Sequence, residues 1–352
     1  MQTQTATENM GGLLPDAMEN RRRRAVFVSK FINFIPLIGL VLVVGLYFLS
    51  VAVTGYRLSI QMEMIINKII LVAFVATGAT FIFTIGSFDL SLGANMLLSA
   101  VVGSLAYRAT KSLWLMVLVC VLVAIGISLI NYLLAAVFHL PVFIMTVAMM
   151  TVLSTISSFI LGGETLYPGF AQRGSEDYEI YHNMLDTIGF RFGLLALYVL
   201  VCCFLFYFTK LGRQQKFLGG NPVCAKLSGI GIVKMTFISF TIAGVGIGLA
   251  AFCSTLPSGS IESATGSDVG MNMLIAIVFG GMALSGGPKA KAFAAFLGGC
   301  TMAFLDLFMS NILSYAEVES GKDAITMLVK AILFLIVAAL LGIASRSKQL
   351  PR

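Results

Sequence analysis

The sequence predicts an all-α fold, a polytopic transmembrane helix bundle of about ten spans with the N- and C-termini in the cytoplasm. Three observations carry that expectation. Of the 352 residues, 58% are hydrophobic and only 11% charged, a composition foreign to water-soluble globular domains. Apolar runs near the roughly 20 residues needed to cross a bilayer core recur along the chain, whereas the short alternating segments of a membrane β-barrel do not. The charges are also sorted: 15 of the 23 Lys and Arg fall in segments placed inside and 11 of the 16 Asp and Glu in segments placed outside. That sorting accounts for the net charge of +7 by topology and gives no reason to invoke nucleic acid.

Residues 1–30 form a polar and basic cytoplasmic tail whose Arg21 to Arg24 and Lys30 hold the N-terminus inside. The transmembrane domain covers 31–344. Its spans are expected at 31–53, 64–85, 92–106, 113–137, 142–161, 191–208, 235–254, 271–283, 292–313 and 324–344, the third and eighth being short for a full crossing. Between the first two lies an external turn with Gly55 and Arg57. Arg108 and Lys111 face outward against the charge rule, and His139 to Pro141 make a tight internal turn. The external loop 162–190 holds Glu164, Glu176, Asp177, Glu179 and Asp186 against Arg173; Glu262, Asp268, Glu317, Glu319 and Asp323 fall in later external loops. Lys289 and Lys291 lie inside, and 345–352 is a second cytoplasmic tail with Arg346, Lys348 and Arg352.

The loop 209–234 carries Lys210, Arg213, Lys216, Lys226 and Lys234 and no acid, which places it in the cytoplasm. Gly219 and Gly220 are expected to turn the chain, Asn221 to cap a helix, and Pro222 to open it where a missing N–H costs nothing. That helix should run to about Ser228 and stop at Gly229 in the left-handed conformation. A capped helix displayed in such a loop is a handle for another protein; the plainer alternative is a re-entry loop whose lysines only satisfy the charge rule.

Within the spans, Gly244, Gly248 and Ala251 make a small-residue face suited to close helix packing. Gly86-x-x-x-Leu90-Ser91-x-Gly93 is echoed by Gly280-x-x-x-Leu284-Ser285-x-Gly287, as in transporters built from two halves with broken helices at corresponding places. Asp89 and Asp306 are the acids nearest the membrane interior. Asp89 either caps the third span or serves function, and Asp306 either lines a polar path or packs through hydrogen bonds. The cysteines, Cys120, Cys202, Cys203, Cys224, Cys253 and Cys300, show neither zinc spacing nor a disulfide framework, and His139 and His182 have no carboxylate cluster beside them. No G-x-x-x-x-G-K-[ST] loop is present, so ATP is not bound by this chain in that way.

Three segments together carry a resemblance. Gly86, Asp89, Leu90, Ser91 and Gly93 match a G-G-x-D-L-S-x-G motif. Gly212, Arg213, Gly219, Gly220, Asn221, Ala225, Leu227, Ser228, Gly229 and Ile230 match a second, and Gly280, Gly281, Leu284, Ser285, Gly286 and Gly287 a third. In that order, over about 69–339, they resemble the permease subunits of bacterial ABC sugar importers of the ribose, xylose and galactose type. The chain departs from the pattern at Ser87, Val223, Pro288, Lys289 and Asp306, where glycine, an acid, Arg-Gly and a neutral residue such as Asn are usual.

The resemblance implies a multi-pass inner-membrane subunit that is not itself an enzyme and needs no cofactor or metal. Its partners would be cytoplasmic ABC ATPase subunits, an extracytoplasmic sugar-binding protein, a second permease subunit and membrane lipid. It assigns ATPase coupling to Arg213, Gly219, Gly220, Asn221, Ala225, Leu227, Ser228 and Gly229. Asp89, Ser91, Ser285 and Asp306 are the candidates for the substrate pathway. Two other readings remain at this point: a permease of the same superfamily for branched-chain amino acids or nucleosides, and a proton-coupled secondary carrier relaying protons through Asp89 or Asp306.

Overall fold

The computed structural model describes residues 34, 36–55, 58–175, 177–185, 187–265, 269–282, 286–287, 290–318 and 321–346. Expectations placed on Arg57, Glu176, Asp186, Asp268, Leu284, Ser285, Pro288, Lys289, Glu319 and both charged tails up to Lys30 and from Lys348 lie outside the described residues. The long elements are all helices: Pro36–Thr54 (α1), Leu58–Thr84 (α2), Leu92–Thr110 (α3), Leu113–Val137 (α4), Val142–Leu161 (α5) and Ile188–Phe208 (α6). They continue with Lys210–Gly220 (α7), Pro222–Leu227 (α8), Ile232–Thr255 (α9), Val269–Phe279 (α10), Ala292–Tyr315 (α11) and Lys322–Arg346 (α12). Eight of them, α1, α2, α4, α5, α6, α9, α11 and α12, are long and apolar enough to cross a membrane.

The remaining two of the ten expected spans are the short ones. α3 has 19 residues rich in Gly, Ala and Ser, and α10 has only 11. At 1.5 Å per residue α10 is about 16 Å long, roughly half of a bilayer core. It stops at Phe279, earlier than the sequence suggests, because Gly280 and Gly281 follow and Gly281 turns left-handed at φ 82°. α2, by contrast, starts earlier than expected, at Leu58, since Gln61 and Glu63 favour helix and continue its first turns.

The bundle is built around α2. Of its apolar window 78% is buried, against 17% for α1 and 11% for α12. α2 packs on α9 at one side and on α11 and α10 at another; α9 in turn packs on α4, and α3 lies between α4 and α5. The small-residue face of α9 serves the packing expected of it. A Cβ on Gly244 would lie 2.6 Å from Ile125 Cα, and one on Gly248 2.4 Å from Val121 Cα, so α4 and α9 touch nearly backbone to backbone.

At the end of the bundle holding the acidic loops, the segments brace one another. Leu166 and Ile261 exchange two 2.9 Å backbone hydrogen bonds, and Tyr107 donates its hydroxyl to Asp177 Oδ2 at 2.8 Å. Arg108, a cation expected on the side where the charge rule disfavours it, donates Nε to the Tyr167 carbonyl at 3.0 Å. That bond gives the residue a local structural use.

Sidedness has a direct probe, because Cys224 in α8 is exposed while the other five cysteines are buried or half-buried. A membrane-impermeant maleimide should modify Cys224 in inside-out vesicles and leave it untouched in intact cells. Modification from the external side would reverse the topology.

Candidate functional site

The basic loop folds as two helices. α7 was not expected, and it corrects the assignment of Gly219 and Gly220 to a turn: both are the last residues of that helix. Gly212, Gln215 and Leu218 recur on its buried face while Arg213 and Phe217 point to solvent, a pattern that carries the helix through the glycines. Gln215 donates Nε2 to Ser239 Oγ at 2.9 Å, tying α7 to α9. The Lys216 ammonium sits 4.3 Å and 4.8 Å from the ring centres of Phe206 and Tyr207, and burial lowers its pKa from the ordinary lysine value.

α8 is bracketed where the sequence places it. Asn221 Oδ1 accepts the N–H groups of Val223 and Cys224, both at 3.0 Å, and Pro222 occupies the first helical position. At the other end Gly229 has φ 78°, which lets Ile230 N–H reach back to the Ala225 carbonyl at 3.0 Å. Ala225 is buried with Leu218 and Met235, whereas Val223, Leu227 and Ser228 are exposed. The helix is thus seated on one face and presents apolar Leu227 and Val223 on the other.

The three motif segments meet at this loop. Gly287 N–H donates to the Thr84 carbonyl at the end of α2, at 3.0 Å. A Cβ on Gly219 would lie 1.8 Å from that same Thr84 oxygen and 3.1 Å from Gly287 Cα; one on Gly286 would lie 2.2 Å from Phe83 O. Gly219 and Gly286 are therefore glycine because backbones touch there.

The pathway candidates do not form one cluster. Asp89 and Ser91 are fully buried between α2 and α3, and Asp89 Oδ1 accepts from Ser91 N–H at 2.8 Å and Ser91 Oγ at 2.7 Å. Ser91 Oγ in turn accepts from Asn131 Nδ2 of α4 at 2.6 Å. Asp89 thus braces the residue that opens α3 rather than capping the helix itself. The polar run continues through Asn95, whose Nδ2 donates to Ser128 Oγ and the Ala124 carbonyl, both at 3.1 Å.

Asp306 belongs to a different site, across α2. Its Oδ2 is 3.0 Å from Lys68 Nζ of α2, and its Oδ1 meets Lys330 Nζ of α12. Lys330 also donates to Asn272 Oδ1 of α10 at 3.0 Å. A cavity of about 160 Å³ opens here, with Lys68, Asn272, Ala264, Met302 and Asp306 in its wall. Leu71, Val72, Val269 and Ala303 complete the wall and make most of it apolar, but the Asp306 carboxylate meets two ammonium groups inside the bundle rather than lipid, as an intramembrane acid should. The lysines and Asn272 were missed from sequence. A lysine within each of two apolar runs was the available signal; the pairing of Lys68 with an acid 238 positions away was not.

Asp306→Asn would leave two ammonium groups without a carboxylate, and removing one member of a buried pair costs about 3–5 kcal/mol. Thermal unfolding of the purified protein in detergent should show that loss, and the double variant Asp306→Asn/Lys330→Met should recover most of it. A single variant as stable as the parent would overturn the pairing.

The family described as "Branched-chain amino acid transport system / permease component" matches residues 61–338. The ribose import permease protein of Haemophilus influenzae is 26% identical over 307 residues, 87% of this chain and 90% of that protein. The fructose import permease protein of Rhizobium meliloti is 28% identical, covering 72% of this chain and 71% of its own, and the L-arabinose transport system permease protein of Escherichia coli is 26% identical at 71% and 75%. No solved structure matches the chain. With the family match spanning α2 to α12 and all three motif segments, the chain belongs to the branched-chain amino acid transport system permease component family.

Proposed function

We propose that this chain is the permease subunit of an ATP-binding-cassette importer and forms the transmembrane pathway for a monosaccharide. Relatives that are ribose, fructose and arabinose permeases over most of their length support the solute class and favour it over amino acids or nucleosides. The chain works in the inner membrane with a second permease subunit. Cytoplasmic ATPase subunits hydrolyse ATP, and an external binding protein delivers the sugar.

The observation that carries the coupling role is the contact of Gly219 with Thr84 and Gly287. α7 and α8 are fastened by that contact to the inner ends of the two interrupted segments, and α8 is held rigid by the Asn221 cap and the Gly229 stop. A push on exposed Leu227 and Val223 therefore reaches pathway helices without passing through a flexible loop. Arg213, Gly220 and Ser228 share the exposed side of the same unit, and Ala225 seats it.

Asn221→Ala removes the cap, a loss of about 0.5–2 kcal/mol, large for so short a helix. Gly229→Val forces a β-branched residue into the left-handed region and should be worse. Both variants should reach the membrane at parental levels, lose ATP-driven uptake in proteoliposomes of the complete importer, and co-purify less ATPase. Parental uptake and co-purification by Gly229→Val would remove the coupling assignment. Uptake that persists without ATP and collapses with an uncoupler would replace the importer with a proton-coupled carrier.

A further inference from the structure

Lys210, Arg213 and Lys216 follow one another at intervals of three, so they form a single slanting row of cations on α7. Lys210 and Arg213 are exposed and Lys216 is half-buried. No acid occurs anywhere in 209–234, and among the described residues no carboxylate pairs with any of the three. Like charges at this spacing weaken the helix that carries them unless an anion meets them. The charge rule asks only that cations lie in the loop, and lysines extended into water would satisfy it.

Lys216 is instead folded back onto a span. Its ammonium lies over Phe206 and Tyr207 in the last turn of α6, 4.3 Å and 4.8 Å from the ring centres. The start of α7 is pressed onto the same turn, since a Cβ on Gly212 would lie 2.0 Å from the Phe206 carbonyl oxygen. The row of cations therefore sits where a membrane-length helix ends, which is the level of lipid headgroups. Around it the end of α6 turns Phe204, Tyr207 and Phe208 outward, 59%, 41% and 74% exposed, and α7 adds Phe217.

Rings beside cations at a helix end suit a lipid on two counts: the rings lie along the glycerol and upper acyl region, and the cations meet the phosphate. We infer that Lys210, Arg213 and Lys216, with the aromatic end of α6, bind an anionic phospholipid, and that Lys216 receives its phosphate. A zwitterionic headgroup carries its own cation next to the phosphate and is disfavoured beside three more. Free phosphate has no chains for the rings to cover. A soluble protein partner fits less well, because the Lys216 ammonium is drawn toward the span, whereas the apolar contacts offered outward are Leu227 and Val223 of α8. The inference does not depend on which solute is carried.

The test uses the full chain in vesicles of phosphatidylcholine and phosphatidylglycerol, one of the two lipids carrying brominated chains that quench tryptophan on contact. Trp114, the sole tryptophan, lies in the first turn of α4, at the end holding the acidic loops. Trp114→Phe combined with Phe208→Trp moves the reporter to the last turn of α6. At that reporter phosphatidylglycerol should be favoured over phosphatidylcholine by about fivefold or more, the effect of roughly one surface cation, whereas Trp114 in the parent chain should show little preference. Adding Lys210→Gln and Lys216→Gln should bring the ratio close to one, and Lys210→Arg with Lys216→Arg should keep it. If the double Gln variant does not reach the membrane, Lys216→Gln alone decides and should lower the ratio at least twofold. Equal quenching by both lipids at the α6 reporter overturns the inference, as does an equal preference at Trp114, which would reflect vesicle charge rather than a site. A preference that survives Lys216→Gln removes Lys216 from the site and overturns it too. A ratio near one together with loss of ATPase co-purification in the double Gln variant would assign the cations to the ATPase instead.

Discussion

The Thr84 carbonyl is the point on which the half of the structure holding the basic loop depends. A helix that stops inside a membrane protein leaves polar backbone groups that no lipid can satisfy, and irregular chain at that depth persists only where protein covers it. Here α2 ends at Thr84, and the N–H of Gly287, from the segment between α10 and α11, donates to its oxygen. One interrupted segment therefore closes the other. Gly219 at the end of α7 lies against the same oxygen, so the basic loop is packed onto the one place where two breaks in the bundle meet.

The same logic organises the polar residues on either side of α2. Asp89, Ser91, Asn131, Asn95 and Ser128 form a run in which uncharged groups surround one acid and link the α2–α3 segment to α4. Across α2, the site of Lys68, Asn272, Asp306 and Lys330 is ionic, and near it Gln61 bonds Asn311 at 2.7 Å, another tie between α2 and α11. Buried polar groups are costly unless paired, and each cluster joins helices that apolar packing alone would leave free to slide in lipid. The clusters differ in charge: the first holds one acid among neutral groups and leaves Asp89 Oδ2 and Asn131 Oδ1 without a hydrogen-bond partner among the described residues, and the second pairs one carboxylate with two ammonium groups.

Much of this was legible in the sequence, for reasons that differ by element. Helix positions followed from run length, because the bilayer fixes the length an apolar helix needs. The boundaries of α8 followed from Asn221, Pro222 and Gly229, whose conformational preferences act within a few residues. α7 was lost because its Lys, Arg and Gln content and its closing glycines look like loop when the buried spacing of Gly212, Gln215 and Leu218 is not weighed. Gly219 looked like a turn residue because composition does not distinguish a glycine needed for its backbone angles from one needed for lack of a Cβ. The partners of Asp306 were out of reach for a plainer reason: Lys68, Asn272 and Lys330 come from three other helices, and only the packing of α2, α10, α11 and α12 makes them one site.

α2 also gives the two ends of the molecule a mechanical relation. Lys68 and Thr84 lie on one unbroken helix, 16 residues apart by number, which at 1.5 Å per residue is about 24 Å. Thr84 touches the basic loop, and Lys68 touches Asp306 of α11, which packs along α2. Displacing α2 along its axis relative to α11 by about 1.5 Å, the rise of a single residue, is comparable with the margin over which an ion-pair contact is kept or lost. Such a shift acts on the Lys68 contact directly, whereas the contact between Asp306 and Lys330 lies wholly between α11 and α12 and contains no residue of α2. α2 thus connects the place where α7 packs, at Thr84, with the more exposed of the two lysines, the one in the cavity wall.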